Sequence, residues 1–421
     1  MRLRTVAVLA VVVVALLGVG AAALWWTGGS GGALTELWVS DTARQTEFNH
    51  HGVGVGVGER VDTGESAALG ETVVVAPVLD QSSQSERSQH SCALVRLAPE
   101  NGSVGWRYGV PPDRCFVHSL TKPTIADLDG TGAPEVIAGT VENETVVLDA
   151  ADGRERFAIE MGTYSYGEPV VADVLGDDDP EIVTSDIGGN VVVTDDEGTV
   201  QWRATVAGSV WAPPAVVDVD GDDRVEVVVG GGDETVAFER DGSVLWRRAV
   251  SGNELVAAPT GDGVRVVAAG FGDVVGLDGA TGETAWNRSV AGSPALAALG
   301  DGDGDNRPEA YVGAANGVVH AFDAVDGSTD WRTTLVTGAS GATPPPTLAD
   351  LSGDGSLELV APTRGGTVVV LDPADGSELA AYERATPIWT GVTAADISDS
   401  AGEEILVRYG DGRVVALEYD A

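Results

Sequence analysis

The sequence has 421 residues, 57 of them glycine, and a formal net charge of −41. This uniform acidity excludes a nucleic-acid-binding protein, because binding to phosphates needs basic patches that release counterions. A chain of this length usually forms two or three ordinary domains, although repeat folds run longer as a single domain.

Residues 1–30 predict a membrane anchor or a signal segment. Arg2 and Arg4 precede an apolar run at residues 5–26, which has about the 20 residues that a bilayer-spanning helix needs. Trp25 and Trp26 end the run, where interfacial aromatic residues belong. We therefore expect a single-pass transmembrane helix, with residues 31–421 outside the cell membrane. The "AAA" at residues 21–23 also fits a cleavage site, so a secreted protein is the alternative.

The two cysteines agree with an exported protein. Cys92 and Cys115 flank a stretch that is typical of a β-hairpin. An even number of cysteines outside the cytoplasm predicts one disulfide, and two unrelated thiols are the alternative.

An acidic motif recurs along the rest of the chain. In "VVDVDGDDRVEVVVGG", Asp218, Asp220 and Asp222 alternate with other residues, and Glu226 opens an apolar run. The motif returns at intervals of about 45 residues, apart from one gap that hides a unit without its acidic loop, "APTGDGVRVVAAG". The first aspartates of the six motifs are Asp127, Asp173, Asp218, Asp301, Asp350 and Asp396.

Each motif is followed by an alternating strand, a glycine turn and a strand that usually carries an aromatic residue. The residues at that aromatic position are Trp106, Phe157, Trp202, Trp246, Trp286 and Trp331, and Ala380 occupies it in one unit. Short β-branched runs bounded by Gly, Asp and Asn predict strands and hairpins, and no helix is predicted beyond residue 30. Four strands in each unit of about 45 residues predict a β-propeller blade.

We therefore predict an all-β, eight-bladed propeller over residues 31–421, with seven blades as the alternative. The first blade contains an inner strand after His50 and a long insertion at residues 79–91. The last unit lacks its tryptophan strand, and the strand near residues 34–42, around Trp38, has no unit of its own. We expect this N-terminal strand to complete the last blade and close the ring.

The repeats resemble two known families. The "D-x-D-G-D-x-x-x-E" loops resemble FG-GAP repeats, as in the propellers of integrin α-chains. The "V-x-A-x-D-x-x-D-G-x-x-x-W" halves resemble repeats of pyrroloquinoline-quinone (PQQ) dehydrogenases and of an outer-membrane assembly lipoprotein. An acidic composition with a single lysine, Lys122, is similar to that of secreted proteins from halophilic archaea.

The FG-GAP resemblance implies structural calcium, and the chemistry of the loops agrees with it. Calcium takes six to eight oxygen ligands, and positions 1, 3, 5 and 9 offer side-chain oxygens while position 7 offers a backbone carbonyl. The predicted ligands are Asp218, Asp220, Asp222, Arg224 and Glu226; Asp301, Asp303, Asp305, Arg307 and Glu309; Asp127, Asp129, Thr131, Ala133 and Glu135; and Asp350, Ser352, Asp354, Ser356 and Glu358.

Two further loops depart from this pattern. The Asp173 loop has Leu175 at position 3 and is expected to bind weakly, and the Asp396 loop has serines at positions 3 and 5. The alternative for all six loops is an acidic turn whose carboxylates are solvated.

The links between units carry the candidate ligand-binding residues. On the face opposite the acidic loops they are His50, His51, His118, Tyr164, Tyr166, Trp211 and Trp389. Aromatic side chains at the mouth of a central channel suit a protein, peptide or glycan ligand. The alternative is that they plug the channel, and a histidine metal site is a further one.

These features favour a non-enzymatic, membrane-tethered binding or scaffold module, with no catalytic residues predicted. The alternative is a quinoprotein like the PQQ-dependent dehydrogenases. The adjacent cysteine pair of that family is absent from this sequence, so PQQ is not expected as a cofactor. The sequence does not name the ligand.

Overall fold

The computed structural model describes residues 32–42, 49–57, 72–80, 91–115, 120–261, 263–336 and 342–421. Within these ranges every regular element is a β-strand, and the strands form eight antiparallel sheets of four. Among the described residues, no helix is long and apolar enough to cross a bilayer. The predicted anchor, His118 and residues 81–90 of the predicted insertion lie outside the described residues.

Strand β1 is Ala33–Val39, and each of the first four blades contains four consecutive strands after it. Strands β2–β5 of blade 1 are Gly54–Val57, Thr72–Asp80, Ser91–Leu97 and Val104–Val110. Strands β6–β9 of blade 2 are Thr124–Ala126, Glu135–Gly139, Glu144–Asp149 and Glu155–Glu160. Strands β10–β13 of blade 3 are Val170–Ala172, Glu181–Ser185, Asn190–Thr194 and Val200–Thr205. Strands β14–β17 of blade 4 are Ala215–Val217, Glu226–Gly230, Thr235–Phe238 and Val244–Arg248.

The remaining blades follow the same order. Strands β18–β21 of blade 5 are Glu254–Thr260, Gly263–Gly270, Asp273–Asp278 and Thr284–Ser289. Strands β22–β25 of blade 6 are Pro294–Gly300, Glu309–Ala314, Val318–Asp323 and Thr329–Thr334. Strands β26–β29 of blade 7 are Thr347–Ala349, Glu358–Pro362, Thr367–Leu371 and Glu378–Glu383. Strands β30–β32 of blade 8 are Thr393–Ala395, Glu404–Arg408 and Val414–Asp420.

The eight sheets form a closed ring around an axis. The innermost strand of each blade contacts the innermost strands of both neighbours, and β30 of blade 8 contacts β2 of blade 1. Strand β1 pairs antiparallel with β32, from Ala33 opposite Asp420 to Val39 opposite Val415, and is the outermost strand of blade 8. The eight-bladed propeller is therefore confirmed, and the seven-bladed alternative is wrong.

The ring has two faces that differ in their connections. Loops between the first and second strands, and turns between the third and fourth, lie on one face, which we call the acid-loop face. Hairpins between the second and third strands, and links between blades, lie on the other, which we call the link face. The unit predicted to lack its acidic loop is blade 5, where β18 and β19 pair from Glu254 opposite Ala269 down to Thr260 opposite Gly263.

The core lies between blades rather than within one sheet. Second strands such as Glu226–Gly230 are buried at all five positions. One apolar cluster joins Val267 and Val274 of blade 5 to Leu296, Val312 and Phe322 of blade 6. Each sheet therefore buries both faces only because neighbouring sheets cover them.

The outer strands interlock neighbouring blades through their tryptophans. Each indole N–H donates a hydrogen bond to a turn carbonyl of the next blade, over N–O distances of 2.6–3.0 Å. In chain order the donors are Trp38, Trp106, Trp202, Trp246, Trp286 and Trp331, and the acceptors are Pro99, Ala150, Arg240, Gly279, Ala324 and Pro373. The rings also lie on turn glycines, so a Cβ at Gly282 would be 2.6 Å from Cδ2 of Trp246.

The exception at Ala380 has a topological reason. Ala380 lies in the outer strand of blade 7 and faces blade 8, whose third and fourth strands are β32 and β1. These two strands come from opposite ends of the sequence, so no direct turn joins them and no turn glycine is present to receive an indole. Phe157 keeps the ring contact, with a turn glycine at Gly198, although it has no N–H to donate.

A buried polar cluster joins blade 8 to blade 1. The amide nitrogen of Asn49 donates to the Gly410 carbonyl over 2.9 Å, and its oxygen accepts the backbone N–H of Leu79 over 2.7 Å. The guanidinium of Arg408, 1% exposed, donates to the same Asn49 oxygen over 2.7 Å and to the Pro77 carbonyl. Because a buried cation is costly unless its donors are satisfied, these bonds specify how the ring closes.

A disulfide joins the β4–β5 hairpin to the segment that follows it. Cys92 at the start of β4 is bonded to Cys115, with Cα atoms 5.4 Å apart. The predicted disulfide and the hairpin it flanks are therefore confirmed. The strands also extend into the predicted insertion, since Leu79 and Asp80 belong to β3 and Ser91 belongs to β4, while residues 81–90 lie outside the described ranges.

We predict that Gly282→Ala destabilises the protein more than Gly130→Ala does. Both glycines have φ values near +65°, so both substitutions incur the left-handed penalty of roughly 1–2 kcal/mol. Only the new methyl at position 282 meets an indole, which adds overpacking of about 1–3 kcal/mol, whereas nothing lies within 4 Å at Gly130. Chemical denaturation of both variants measures the difference, and equal losses would contradict the interlock.

Candidate cation loops and ligand face

The acid loops fold around their own carboxylates. Asp218 Oδ1 accepts the backbone N–H of Gly221 over 2.7 Å, and its Oδ2 accepts that of Asp223 over 3.0 Å. Glu226 Oε2 accepts the backbone N–H of Val219 over 2.9 Å, which holds the end of the loop against its start. The same pair of first and ninth residues organises the Asp301 and Asp350 loops. The repeated spacing therefore encodes a repeated loop conformation.

Four loops bring three carboxylates together. In each of them one carboxylate oxygen per residue lies within 4.8 Å of the other two, a spacing at which one cation could contact all three. The groups are Asp127, Asp129 and Glu135; Asp173, Asp177 and Glu181; Asp218, Asp220 and Glu226; and Asp301, Asp303 and Glu309. The Asp173 loop, expected to be weak because of Leu175, recruits position 5 in place of position 3.

In the loops that match the pattern, the side chain at position 5 holds the turn, although it was predicted to be a calcium ligand. Its side chain accepts the backbone N–H of position 7: Asp222 from Arg224, Asp305 from Arg307, Asp354 from Ser356 and Thr131 from Ala133. Asp222 and Asp305 are not members of the three-carboxylate groups. In this arrangement the predicted fifth ligands support the turn, while positions 1, 3 and 9 converge.

The ninth-position glutamates are buried charges. Glu226 is 1% exposed and Glu309 is 3% exposed, and burial raises the pKa of each to about 7. Burial likewise raises the pKa of Glu135, Glu181 and Glu358. A carboxylate in such a place needs hydrogen bonds and a positive partner, because ionisation without them is unfavourable.

Two other blades supply that compensation from the protein itself. In the Asp127 loop, the Arg156 guanidinium donates to Asp129 over 2.8 Å and also pairs with Glu135. In the Asp396 loop, the hydroxyls of Ser398 and Ser400 both donate to Glu404.

In blade 5 an arginine occupies the position of the buried glutamate. In the loop-less unit, "RVVAAG" aligns with "EVVVGG" of blade 4, so Arg265 stands where Glu226 would be. Arg265 is buried and its guanidinium lies 4.0 Å from the Asp278 carboxylate. Where the acidic loop is lost, the glutamate is lost with it.

By contrast, the arginines of the Asp218 and Asp301 loops pair outside the carboxylate groups. Arg224 Nη1 lies 3.2 Å from Asp222, and Arg307 pairs with Asp323 and, over 3.5 Å, with Asp326. The chemistry of the three converging carboxylates therefore fits an added divalent cation in these two loops better than in the Asp127 loop, where Arg156 already lies.

The link face carries a second candidate site. Ring centroids are 4.8 Å apart for His51 and Tyr166, 6.0 Å for His50 and Tyr166, and 4.9 Å for Tyr166 and Trp211. These residues belong to the links that enter blades 1, 3 and 4. The links that enter blades 1 and 3 therefore meet although blade 2 lies between them in the ring. We call His50, His51, Tyr166 and Trp211 the mouth cluster.

A carboxyl group begins the innermost strand of blade 5. Glu254 is half-buried at the start of β18, and burial raises its pKa to about 8. Burial, and next the charge of Glu254, raise the pKa of Tyr166 to about 12. Tyr164 also acts on Tyr166, whereas Trp389 lies elsewhere on the face, beneath the Arg364 guanidinium at 4.4 Å.

Two large apolar side chains on the link face are exposed. Trp211 is 37% exposed, and Phe271, at the tip of the β19–β20 hairpin, is 80% exposed. Phe271 also has φ +50°, a left-handed conformation that is unusual for a bulky residue. Sequence reasoning missed Phe271, although its place between two glycines in "GFGD" is a recognisable hairpin-tip signal.

The fold and the repeated interlock define a β-propeller built from PQQ-type repeats. Residues 187–305 and 304–421 match the family model described as "Outer membrane protein assembly factor BamB". The two matches together span more than half of the chain, so the protein belongs to this family. No curated protein matches the sequence.

Solved structures share the same fold at low identity. BamB from Moraxella catarrhalis is 19% identical with a TM-score of 0.55, over 77% of this chain and 91% of that one. The quinohemoprotein alcohol dehydrogenase from Comamonas testosteroni is 12% identical with a TM-score of 0.61, over 91% and 76%. Sqt1 from Saccharomyces cerevisiae is 10% identical with a TM-score of 0.64, over 93% and 99%. These likenesses show the fold alone.

We predict that the double variant Ser398→Ala/Ser400→Ala is less stable by roughly 1–3 kcal/mol. Both hydroxyls donate to Glu404, which is fully buried, and their loss leaves that carboxylate without its side-chain partners. Because the two hydroxyls belong to the protein, the decrease in the free energy of unfolding should be the same with calcium or with a chelator. Denaturation under both conditions measures it, and a loss that calcium abolishes would contradict the assignment.

Proposed function

We propose that this protein is an extracytoplasmic, membrane-tethered propeller, stabilised by calcium, that acts as a non-enzymatic binding or scaffold module. The observation that carries the binding role is the mouth cluster, where aromatic side chains from three links meet on the link face. Aromatic rings around a few polar groups are typical of ligand sites. The name of the family, an assembly factor, agrees with such a role.

The proposed location has two supports. The basic and apolar segment at residues 1–30 has the composition of an anchor or signal. The Cys92–Cys115 disulfide is typical of proteins outside the reducing cytoplasm. Secretion after cleavage remains the alternative to tethering.

The proposed calcium sites are the Asp218 and Asp301 loops first, and the Asp173 and Asp350 loops next. Three converging carboxylates in the Asp218, Asp301 and Asp173 loops suit a hard cation of calcium's size. The Asp350 loop has Ser352 at position 3 and offers Asp350 and Glu358 in the same spacing. Blade 5 supports the same conclusion. It lacks the acidic loop, and Arg265 occupies the position equivalent to Glu226, so the buried glutamate is absent where the other calcium-binding carboxylates are absent.

We expect chelation with EDTA to lower the melting temperature, and calcium but not magnesium to restore it. Magnesium demands a smaller octahedral shell and gives up its water reluctantly, so a flexible loop of carboxylates favours calcium. Differential scanning calorimetry at constant ionic strength measures the shift. An identical melting curve with and without EDTA would contradict calcium stabilisation.

Single substitutions locate the ions. Asp220→Asn and Asp303→Asn each remove one of three converging charges, and we expect each to weaken one calcium site about tenfold, or about 1.4 kcal/mol. Asp223→Asn is the matched control, because Asp223 lies in the same loop outside the carboxylate group and its φ of +66° tolerates asparagine. Calcium titration calorimetry compares them, and equal effects at positions 220 and 223 would reject the assignment.

Site-specific photocrosslinking tests the binding role. We expect benzoylphenylalanine at position 211 or 271 to form a recurring adduct in living cells, because both positions are exposed on the link face. Val244 is the control, since it is 48% exposed at the start of an outer strand beside the acid-loop face.

No adduct, or the same adduct from position 244, would contradict binding at the link face. Dye-linked oxidation of alcohols after addition of PQQ would instead support the quinoprotein alternative. The two assays therefore separate a scaffold from a dehydrogenase on the same fold.

A further inference from the structure

We propose that Asn101 is the acceptor of an N-linked glycan, presented by the folded turn between β4 and β5 on the acid-loop face. The inference rests on the proposed extracytoplasmic location, because asparagine is glycosylated on exported proteins. The observation that carries it is the geometry of residues 101–103, Asn-Gly-Ser. This tripeptide has the acceptor sequence Asn-x-Ser/Thr, and the structure places both of its polar side chains on the surface.

The inner side of this turn is fixed to the propeller. The backbone N–H of Gly102 donates to the Ala98 carbonyl over 2.8 Å, and the N–H of Ala98 donates to the Ser103 carbonyl over 2.8 Å. Gly102 has φ +66° and is buried against the Trp38 ring, which an added Cβ would meet. Because the glycine between them faces inward, Asn101 and Ser103 are both exposed.

The same turn orients the side chain of Asn101. Its amide oxygen accepts the backbone N–H of Ser103 over 2.9 Å, which is the hydrogen bond of an Asx turn. Among the described residues, neither the amide nitrogen of Asn101 nor the hydroxyl of Ser103 has a hydrogen-bond partner. The nitrogen that would receive the sugar and the hydroxyl that the acceptor sequence requires are therefore accessible together.

A second tripeptide of the same type, at residues 143–145, lacks this accessibility. Asn143 is exposed in the β7–β8 hairpin, but Thr145 is fully buried. The Thr145 hydroxyl shares a hydrogen bond of 2.9 Å with that of Thr184 in blade 3. A transferase acting on the folded protein cannot reach this hydroxyl, so we expect Asn143 to be the poorer acceptor.

The third tripeptide, at residues 287–289, lies inside a paired strand. Asn287 belongs to β21 and stands opposite Val275 in the sheet. The Ser289 hydroxyl donates to the Asp273 carboxylate over 2.8 Å. Of the three tripeptides, the one at residues 101–103 alone combines a turn with an exposed hydroxyl that the fold does not use.

The reaction joins the amide nitrogen of Asn101 to the anomeric carbon of a sugar. The donor is an oligosaccharide linked to a lipid through phosphate, and an oligosaccharyl transferase outside the cytoplasm brings the two together. A C–N bond forms while the bond between the anomeric carbon and the phosphate oxygen breaks, and its electron pair leaves with the phosphate. The amide proton passes to a base of the transferase, so the step needs no oxidant or reductant.

A glycan at this turn agrees with the proposed binding role. An N-linked glycan is bulky and hydrated, so it would cover the acid-loop face at blade 1. The exposed side chains of Trp211 and Phe271 lie on the opposite face of the ring. The glycan would therefore increase solubility and leave the link face open to a partner.

Mass spectrometry of the full-length protein, purified from the cells that produce it, tests the proposal. Trypsin cleaves after Arg96 and Arg107, so residues 97–107 form a peptide in which Asn101 is the one asparagine. We expect this peptide to carry the added mass of a glycan. We also expect the modified fraction at Asn101 to exceed the modified fractions at Asn143 and Asn287.

Asn316 is a matched control within the same protein. It is exposed, its side-chain oxygen accepts the backbone N–H of Val318 over 3.3 Å, and a glycine with positive φ lies between the two residues. Because Val318 has no hydroxyl, we expect no glycan on Asn316. We expect Ser103→Ala to abolish the glycan on Asn101, since it removes the exposed hydroxyl and keeps the backbone N–H that orients the amide.

An unmodified peptide 97–107, a glycan on Asn316, or a glycan that persists in Ser103→Ala would each overturn the assignment. Equal modification of Asn143 would overturn the selection by the folded turn. These failures are distinct from failure of the proposed location. An unmodified peptide from protein that is secreted, or that protease added to intact cells digests, would reject the glycan alone, whereas protein confined to the cytoplasm would reject both.

Discussion

Each blade of this propeller is a sheet with two apolar faces, and everything else in the structure depends on covering both. A four-stranded sheet alone exposes too much apolar surface in water, so each blade folds only against its neighbours. The tryptophan of one outer strand fills the space above a turn glycine in the next blade and donates its N–H to a carbonyl of that turn. Phe157 keeps the ring contact without the hydrogen bond, and at Ala380, which faces the blade built from both ends of the sequence, both are missing.

Packing the sheets around an axis also buries the glutamates that begin the second strands. Six second strands begin with a buried glutamate that orders the acid loop through a backbone N–H. The protein compensates the glutamate with Arg156 in one blade and with two serine hydroxyls in another, and replaces it by Arg265 in a third. We propose that calcium provides the same compensation in the Asp218, Asp301 and Asp173 loops, where three carboxylates converge. In this account an arginine, serine hydroxyls or a bound cation can each stabilise the buried carboxylate of the glutamate.

The sequence predicts most of this fold because the signal repeats. A period of about 45 residues, alternating strands and an aromatic residue after most glycine turns together specify the blade, and the unpaired strand at Trp38 and the incomplete last unit indicate the eighth. The spacing also predicts that the carboxylates at positions 1 and 9 lie together, as they do in four loops. It does not predict that Asp222 and Asp305 hold the turn, since that depends on side-chain direction within the loop.

The link face was less predictable, because its contacts join residues far apart in the chain. Nothing in the sequence around His51 specifies Tyr166 as a neighbour, and their contact follows from the curvature of the ring. The same holds for Arg156 beside Asp129 and for Trp211 beside Tyr166. The local sequence pattern identifies the candidate site residues, and the geometry of the closed ring determines which of them are in contact.

Anomalous diffraction from crystals grown with calcium tests the central claim most directly, namely that cations compensate the buried corner carboxylates. The account predicts density for an ion among Asp218, Asp220 and Glu226, and a second ion among Asp301, Asp303 and Glu309. It also predicts no ion beside Glu404, because the hydroxyls of Ser398 and Ser400 already donate hydrogen bonds to that carboxylate. Calcium-replete crystals with only water at the first two positions would contradict it.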